Sequence, residues 1–436
     1  MISKILLWLG GFVGAVVLLA VVAYFWLATG EPTIDHDYLA ELNEFIKPEF
    51  EIKDEENAAT FFDNAAEVYS PFPEQEDEFD PISLDFFVIS SDQEKLVCRW
   101  IEENKEAMEL WREGSEKKYY WREYSLIENA PLTDIELPNL GITRKMIYSF
   151  LWQSYFALSD GDFTEGIDDL KVVFRTAAHI KSQKTLIEQI VGIALARCAS
   201  DAACLFIQEF DLSREELTEI KNELEISSAQ IGKPLDIESE RYMMLDGIQR
   251  SFVVTPIGDH WYPESFNGSD NAFLKNEPES FTDFMKIVFF PPGKQECMDD
   301  AAVLYKSVDS NYRKPPYVVG SYEEAVAAEV GENFMFATVK PFLSQVAYLV
   351  WRTNDSNEAS ILVVDLHLFK IDNGYFPESL NQLVDEGYID QLPIDSFSGK
   401  SFIYSRQVDS FLLYGIGEDG VDDGGEDYDA VFWPIK

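Results

Sequence analysis

The densest chemistry in this sequence is a run of oxygen ligands near the C-terminus. Between Glu418 and Asp429 stand seven acids, Glu418, Asp419, Asp422, Asp423, Glu426, Asp427 and Asp429, with no Lys or Arg among them. Carboxylates this close repel one another unless a hard cation takes several of them. Calcium accepts about six to eight oxygens from carboxylates and backbone carbonyls, and the glycines at 420, 424 and 425 allow a loop to turn tightly around it. The pattern predicts a structural calcium loop; the competing reading is a solvated acidic tail. An EF-hand is not matched, because Asp419 has no acid or Asn two residues on.

Elsewhere the reactive residue types are scattered. The histidines are His36, His179, His260 and His367. Asp259-His260 has the form of a base with its orienter, but no Ser or Cys nucleophile motif is near it, and the plainer expectation is a half-exposed loop anchored by Trp261 and Tyr262. No nucleophile elbow and no H-E-x-x-H occurs. Gly415-x-Gly417-x-x-Gly420 spells the dinucleotide fingerprint, yet it is followed by acids where a pyrophosphate would sit, and no βαβ unit surrounds it. These features predict a non-enzymatic protein. An envelope hydrolase is the reading that would need two acids of the helical region to meet.

The chain has 436 residues, 34 Lys+Arg and 79 Asp+Glu, for a formal charge of −45. That length makes two or three domains, and a 46% hydrophobic share is enough for a sizeable core. The first thirty residues carry only Lys4, so the rest holds 33 basic and 79 acidic residues, a net −46. Such a surface repels phosphate, which excludes a nucleic-acid partner.

From Ile5 to Ala28 there are 24 residues without a charge. As a helix they span roughly 36 Å, enough to cross a bilayer with some tilt. The stretch is too long for the apolar part of a cleaved signal peptide. Lys4 precedes it while Glu31, Asp35 and Asp37 follow, which predicts a single-pass membrane anchor. The N-terminus would be cytoplasmic and the bulk of the chain periplasmic or extracellular. Gly10-x-x-x-Gly14 could bring two such helices together as a homodimer. Pilins and pseudopilins also begin with an apolar helix, but their processing site needs a Glu shortly after the Gly-aromatic pair. Gly11-Phe12 has no Glu before Glu31.

Cys98, Cys198, Cys204 and Cys297 are an even set in a segment expected to face an oxidising compartment, so one or two disulfides are expected there. Cys198 and Cys204 share one apolar run and, on one helix, lie about 9 Å apart along its axis, beyond bridging distance.

The expected organisation is a membrane helix at 1–30, an α-helical array at 31–250, a Pro- and aromatic-rich excursion at 251–330 and a small α+β domain at 331–436. Helices are predicted over Asp54–Tyr69, Gln93–Glu113, Thr185–Phe210 and from Ser213-x-x-Glu216 onward. The clearest pair starts at Met146, where Ile147, Phe150, Leu151, Ser154, Ala157 and Leu158 form a stripe. Asp160-Gly161 breaks it, and Asp162 with Glu165 makes a capping box for the next helix. The short connection makes the two antiparallel. Ala157, Gly161-Asp162 and Ile167-Asp168-Asp169-Leu170 resemble a tetratricopeptide hairpin, and arrays of that kind offer extended surfaces to protein partners. Trp100, Trp111, Trp152 and Phe174 are expected in the core.

At the C-terminus a long helix to about Asp372 should end at Asn373-Gly374. A short helix should start with Pro377 as its first residue and close at Gly387, and two strands follow at Ser401–Arg406 and Phe411–Tyr414. The order Lys370-Ile371-Asp372-Asn373-Gly374-Tyr375-Phe376-Pro377, Leu392-Pro393-x-Asp395, Gly399-Lys400-x-Phe402-x-Tyr404, Leu413-Tyr414-x-x-Gly417-x-Asp419-Gly420 and Gly424-Gly425 is similar to the C-terminal globular domain of the major pseudopilin of type II secretion. The resemblance implies a long helix, a small antiparallel sheet and a calcium loop. It implies ligation by the carbonyls of Ile416 and Val421 and by Asp419, Asp427 and either Glu426 or Asp429. The whole chain resembles membrane-anchored bacterial proteins in which a helical region precedes such a domain. The leading expectation is therefore an anchored interaction protein whose array binds a protein partner and whose C-terminal domain is braced by calcium. A type II secretion-associated component is the alternative.

Overall fold

The computed structural model describes residues 30–73, 79, 81–82, 89–137, 139–255, 258–261, 292–330, 336 and 339–435. The predicted membrane helix, with Lys4, Gly10 and Gly14, lies outside these residues, as do residues 256–257 and 262–291 of the aromatic-rich excursion. Among the described residues the chain is mainly helical, with fourteen α-helices, one two-stranded hairpin and one three-stranded antiparallel sheet near the C-terminus.

α1 (Tyr38–Ile46) and α2 (Ala58–Val68) open at Asp37 and Asn57, whose side chains accept from the backbone two or three residues on, relieving the unpaired first turn. The single helix expected over Gln93–Glu113 is in fact two, α3 (Ser91–Glu103) and α4 (Lys105–Ser115). Asn104 breaks it. Fully buried, it donates to the carbonyls of Ser70 and Trp100 and accepts from the Ser70 N–H. An Asn that bonds backbone in this way competes with the helix that contains it.

α5 (Leu140–Ser159) and α6 (Phe163–Lys181) form the expected hairpin. Asp162 accepts from the Glu165 N–H at 3.1 Å, but the Glu165 carboxylate is taken by Gln153 at 3.0 Å, so only half of the capping box is made. The helices touch where Ser154 Oγ donates to the Gly166 carbonyl at 2.6 Å. α7 (Leu186–Glu209) starts at Thr185, α8 (Arg214–Ile231) at a complete Ser213/Glu216 capping box, and α9 (Glu238–Arg250) follows. Among the described residues α7 alone is long and apolar enough to cross a bilayer. Two thirds of its most apolar window is buried inside the protein, 67%, so here it is a core helix.

The helices stack in two rows, α4, α6, α8 and α3, α5, α7, each in contact with the next. The row ends on α13 (Val339–Asn373), a 35-residue helix roughly 52 Å long that packs against both α7 and α8. The contact is polar as well as apolar. Ser200 Oγ donates to Asn357 at 2.5 Å, Ser228 to Glu358 at 2.6 Å, and Lys221 to Asp365 at 2.7 Å. Trp100, Trp111, Trp152 and Phe174 are buried as expected, with Trp111 stacked on Phe62 at 4.2 Å between ring centroids.

β1 (Phe252–Thr255) and β2 (Gly258–Trp261) pair antiparallel, Val253 opposite His260. α10 (Lys294–Tyr312), α11 (Pro316–Val319) and α12 (Tyr322–Val330) lead to α13. Beyond it, α14 (Asn381–Asp385) begins four residues after Pro377 rather than at it. The Pro377 carbonyl is taken by the Tyr404 hydroxyl at 2.7 Å, and the Glu378 N–H by the Gln382 side chain, so this stretch is bonded before a helix forms. The sheet is β3 (Ile403–Arg406), β4 (Phe411–Gly415) and β5 (Ala430–Trp433) in that order. β5 has no counterpart in the sequence reading.

No disulfide joins the four cysteines. Cys198 and Cys204 do share α7. Cys204 sits against Ser360 of α13, and burial pushes its thiol up to about 12.

Candidate functional site

The acidic loop leaves β4 and returns as β5. Its neck is closed by contact: a Cβ on Gly417 would lie 2.1 Å from the Tyr428 carbonyl oxygen, so only glycine lets the two arms meet. Below the neck, Asp395 Oδ2 accepts from the Ile416 N–H at 3.0 Å and from Ser398 Oγ at 2.7 Å. Asp355 of α13 accepts from Ser396 N–H and Oγ at 2.9 and 2.5 Å. Burial pushes Asp355 up to about 8 against the pull of both Ser396 bonds, which favours its neutral form. A neutral carboxylic acid can donate to the hydroxyl as well as accept from the amide, which suits a site 3% exposed.

Of the predicted calcium ligands, Asp429 is turned inward. Its Oδ2 accepts from the N–H groups of Asp423 and Gly425, both at 2.9 Å, while Oδ1 is buried without a hydrogen-bond partner. Asp419 Oδ1 closes a turn on the Val421 N–H at 3.1 Å. Glu426 and Asp427 are exposed, Asp427 with φ +45°. Ile416 is half-buried and Val421 exposed at the two ends of the first turn. Asp422 accepts from Tyr414 OH at 3.0 Å, and Glu418 pairs with Arg352. Partial desolvation, then the charges of Asp419, Asp429 and Asp427, hold the Asp423 carboxyl above its usual range. The acids are thus near enough to repel. Among the described residues, however, no three His, Cys, Asp or Glu side chains are grouped closely enough to hold a metal. What the loop offers a cation is one desolvated, unpartnered oxygen on Asp429; the other carboxylates are not drawn together around it.

Three of the four histidines are held within the packed body. His260 is in a strand and 1% exposed, not in the half-exposed loop expected. Asp259, its neighbour, points to the other face of the hairpin and accepts from the Lys294 N–H at 3.3 Å, so the two do not form an acid–base pair. His179 Nε2 bonds the Ser115 carbonyl at 3.1 Å, and burial lowers its pKa. His367 bonds the Val363 carbonyl among Phe376, Phe411 and Trp433, and burial lowers it to about 4. His36 is exposed beside Glu41.

A second site was not anticipated. A cleft of about 170 Å³ opens between α4, α6 and α8, lined by Phe174, Ala178, Ile226 and Ser227. The Arg175–Glu223 ion pair, 3.0 Å, stands at its side. Ser227 is 2% exposed and its Oγ has no hydrogen-bond partner, whereas Ile226 is 57% exposed. One signal existed: Ile220, Leu224 and Ile231 form the buried stripe of α8, and Ile226 falls on the opposite side of the helix.

No protein-family model, curated protein or solved structure matches the chain.

Proposed function

We propose that this chain is a membrane-anchored, extracytoplasmic interaction protein, not an enzyme, that takes a protein partner on the α4/α6/α8 row. The observation that carries this is the cleft: an exposed Ile226 beside a buried hydroxyl without a partner is surface left unsatisfied by the fold itself. An apolar side chain of the partner fills the cleft and a polar group meets Ser227. The anchor is the apolar run Ile5–Ala28, placing the array and the C-terminal domain on the periplasmic side of a bacterial inner membrane. Calcium braces the loop 416–429 with Asp429 as its innermost ligand. Gly10 and Gly14 allow two anchors to pair.

The test is site-specific photocrosslinking from position 226 of the full chain in cells. A single discrete protein adduct is expected, lost when Ala178→Trp fills the cleft while the melting temperature holds. A ladder of adducts insensitive to A178W would overturn the reading.

A second reading, a component working with a type II secretion pseudopilus, is supported by the order of a long helix, a Gly374 turn at φ +78°, a three-stranded antiparallel sheet and an acidic loop. Pseudopilins co-purifying with the full-length chain would favour it over the first.

A further inference from the structure

We infer that the face formed by residues 30–36, the β1–β2 hairpin and the start of α10 lies against the lipid headgroups of the bilayer holding residues 5–28. The inference rests on the membrane-anchor reading above and goes beyond it by naming the surface that meets the lipid.

The first described residues are not a loose tether. Gly30 packs so closely on β1 that a Cβ there would lie 2.6 Å from a Val253 methyl. The Thr33 N–H donates to the Phe252 carbonyl at 3.0 Å, and the Val254 N–H to Thr33 Oγ1 at 3.1 Å. Lys294, 7% exposed, donates to the Thr33 carbonyl at 3.1 Å and pairs with Asp35 at 2.9 Å. Gln249 of α9 both accepts from and donates to the backbone of His36, at 3.2 and 3.0 Å. Residues 30–36 are therefore fixed to β1, α9 and α10.

Length then decides the position. Between Ala28 and Gly30 an extended chain covers at most about 7 Å. The headgroup layer is roughly 5–8 Å thick. However the body tilts, β1 cannot leave the headgroup layer by more than a residue or two. The side chains exposed here include two apolar ones, Ile34 at 51% and Val254 at 45%. The acids nearby, Glu31, Asp35 and Asp37, make zwitterionic rather than anionic headgroups the matching surface. At the other end, α7 sets the reach of the molecule. The Leu186 N–H bonds Glu240 of α9, while Gln208 accepts from and donates to Ile435 beyond β5. That spacing is roughly 33 Å along the helix, so the sheet and its acidic loop are held at the end of α7 remote from α9.

The experiment places a benzophenone amino acid at 34, 254 or 408 of the full chain in nanodiscs of zwitterionic phosphatidylcholine. Position 408, 92% exposed in the β3–β4 turn, reports the far end. Lipid adducts at 34 or 254 with none above background at 408 are expected. A chain retained in the discs with equal yields at all three positions, or none at 34 and 254, overturns this inference and leaves the anchor standing. A chain that does not stay with the discs overturns both.

Discussion

Along the α4, α6, α8 row and onto α13 acids meet cations. Lys171 bridges Asp168 and Glu219, Arg175 pairs with Glu223, Arg112 with the buried Asp169, and Lys221 with the buried Asp365. Between Glu418 and Asp429, seven acids have one cationic partner among the described residues, Arg352 on Glu418. Buried acids of the array are thus met by cations, most of them distant in sequence, and those of the loop are not. The same acidic composition is a packing device in one region and is left largely without cationic partners in the other.

The largest test of that difference is Lys221→Met, which leaves Asp365 buried and unpaired between α8 and α13. Removing one partner of a buried pair costs about 3–5 kcal/mol, and urea unfolding of the detergent-solubilised chain should show it. Restoration by the double change K221M/D365L is expected. A loss below about 1 kcal/mol would mean the pair is as weak as a surface one.

Of similar size, spread over about four pH units, is a pH effect at the root of the loop. An unfolded Asp releases its proton near its ordinary value of 3.8, while folded Asp355 holds it to about 8. Between those values the folded state binds more protons, so stability falls as pH rises, by up to about 1.4 kcal/mol per pH unit. Asp355→Asn keeps the hydrogen-bond pattern of the protonated acid. It should be neutral at pH 4 and stabilising at pH 8, read as the change in urea midpoint. Equal effects at both pH values would place the ionised form in the native state.

Calcium comes third. At about 100 times its dissociation constant a ligand adds about 2.7 kcal/mol, a rise of about 3–5 °C for a chain of this size. Thermal melts with calcium and with a chelator should differ by that amount, and Asp429→Asn should abolish the difference. Identical melts would make the loop a solvated tail and reduce the contrast between the regions to a difference in exposure.

The smallest effect is local. Gly417→Ala pushes a Cβ into the Tyr428 carbonyl. It should speed amide exchange across 417–428 about tenfold, roughly 1.4 kcal/mol of local opening, with the global midpoint nearly unchanged.

Much of the helical frame was legible. Of the stripe Ile147, Phe150, Leu151, Ser154, Ala157 and Leu158, all but the half-buried Ala157 are buried in α5, Gly161 ends that helix with φ +84°, and Ser213 with Glu216 caps α8 as read. These signals act within about four residues, the reach of a helical hydrogen bond or a cap. Where reading failed, a distant partner had intervened: Ser70 on Asn104, Tyr404 on Pro377, Gln153 on Glu165. β5 went unread because Ala430–Trp433 acquires its strand character only by pairing with β4.

The site divides in the same way. Composition and spacing alone determined that seven acids crowd one glycine-rich turn, that 24 apolar residues precede the body, and that no contiguous nucleophile motif is present. Only the tertiary structure decided that Asp429 is the acid turned inward and that Asp355 is buried under Ser396. It likewise decided that Ile226 and Ser227 border a cleft and that α13 continues the helical stack. Each of those depends on burial or on a contact between residues far apart in sequence, such as Ser200 with Asn357. Burial and long-range pairing are properties of the folded arrangement, since a side chain's neighbours are chosen by packing and not by its place in the chain.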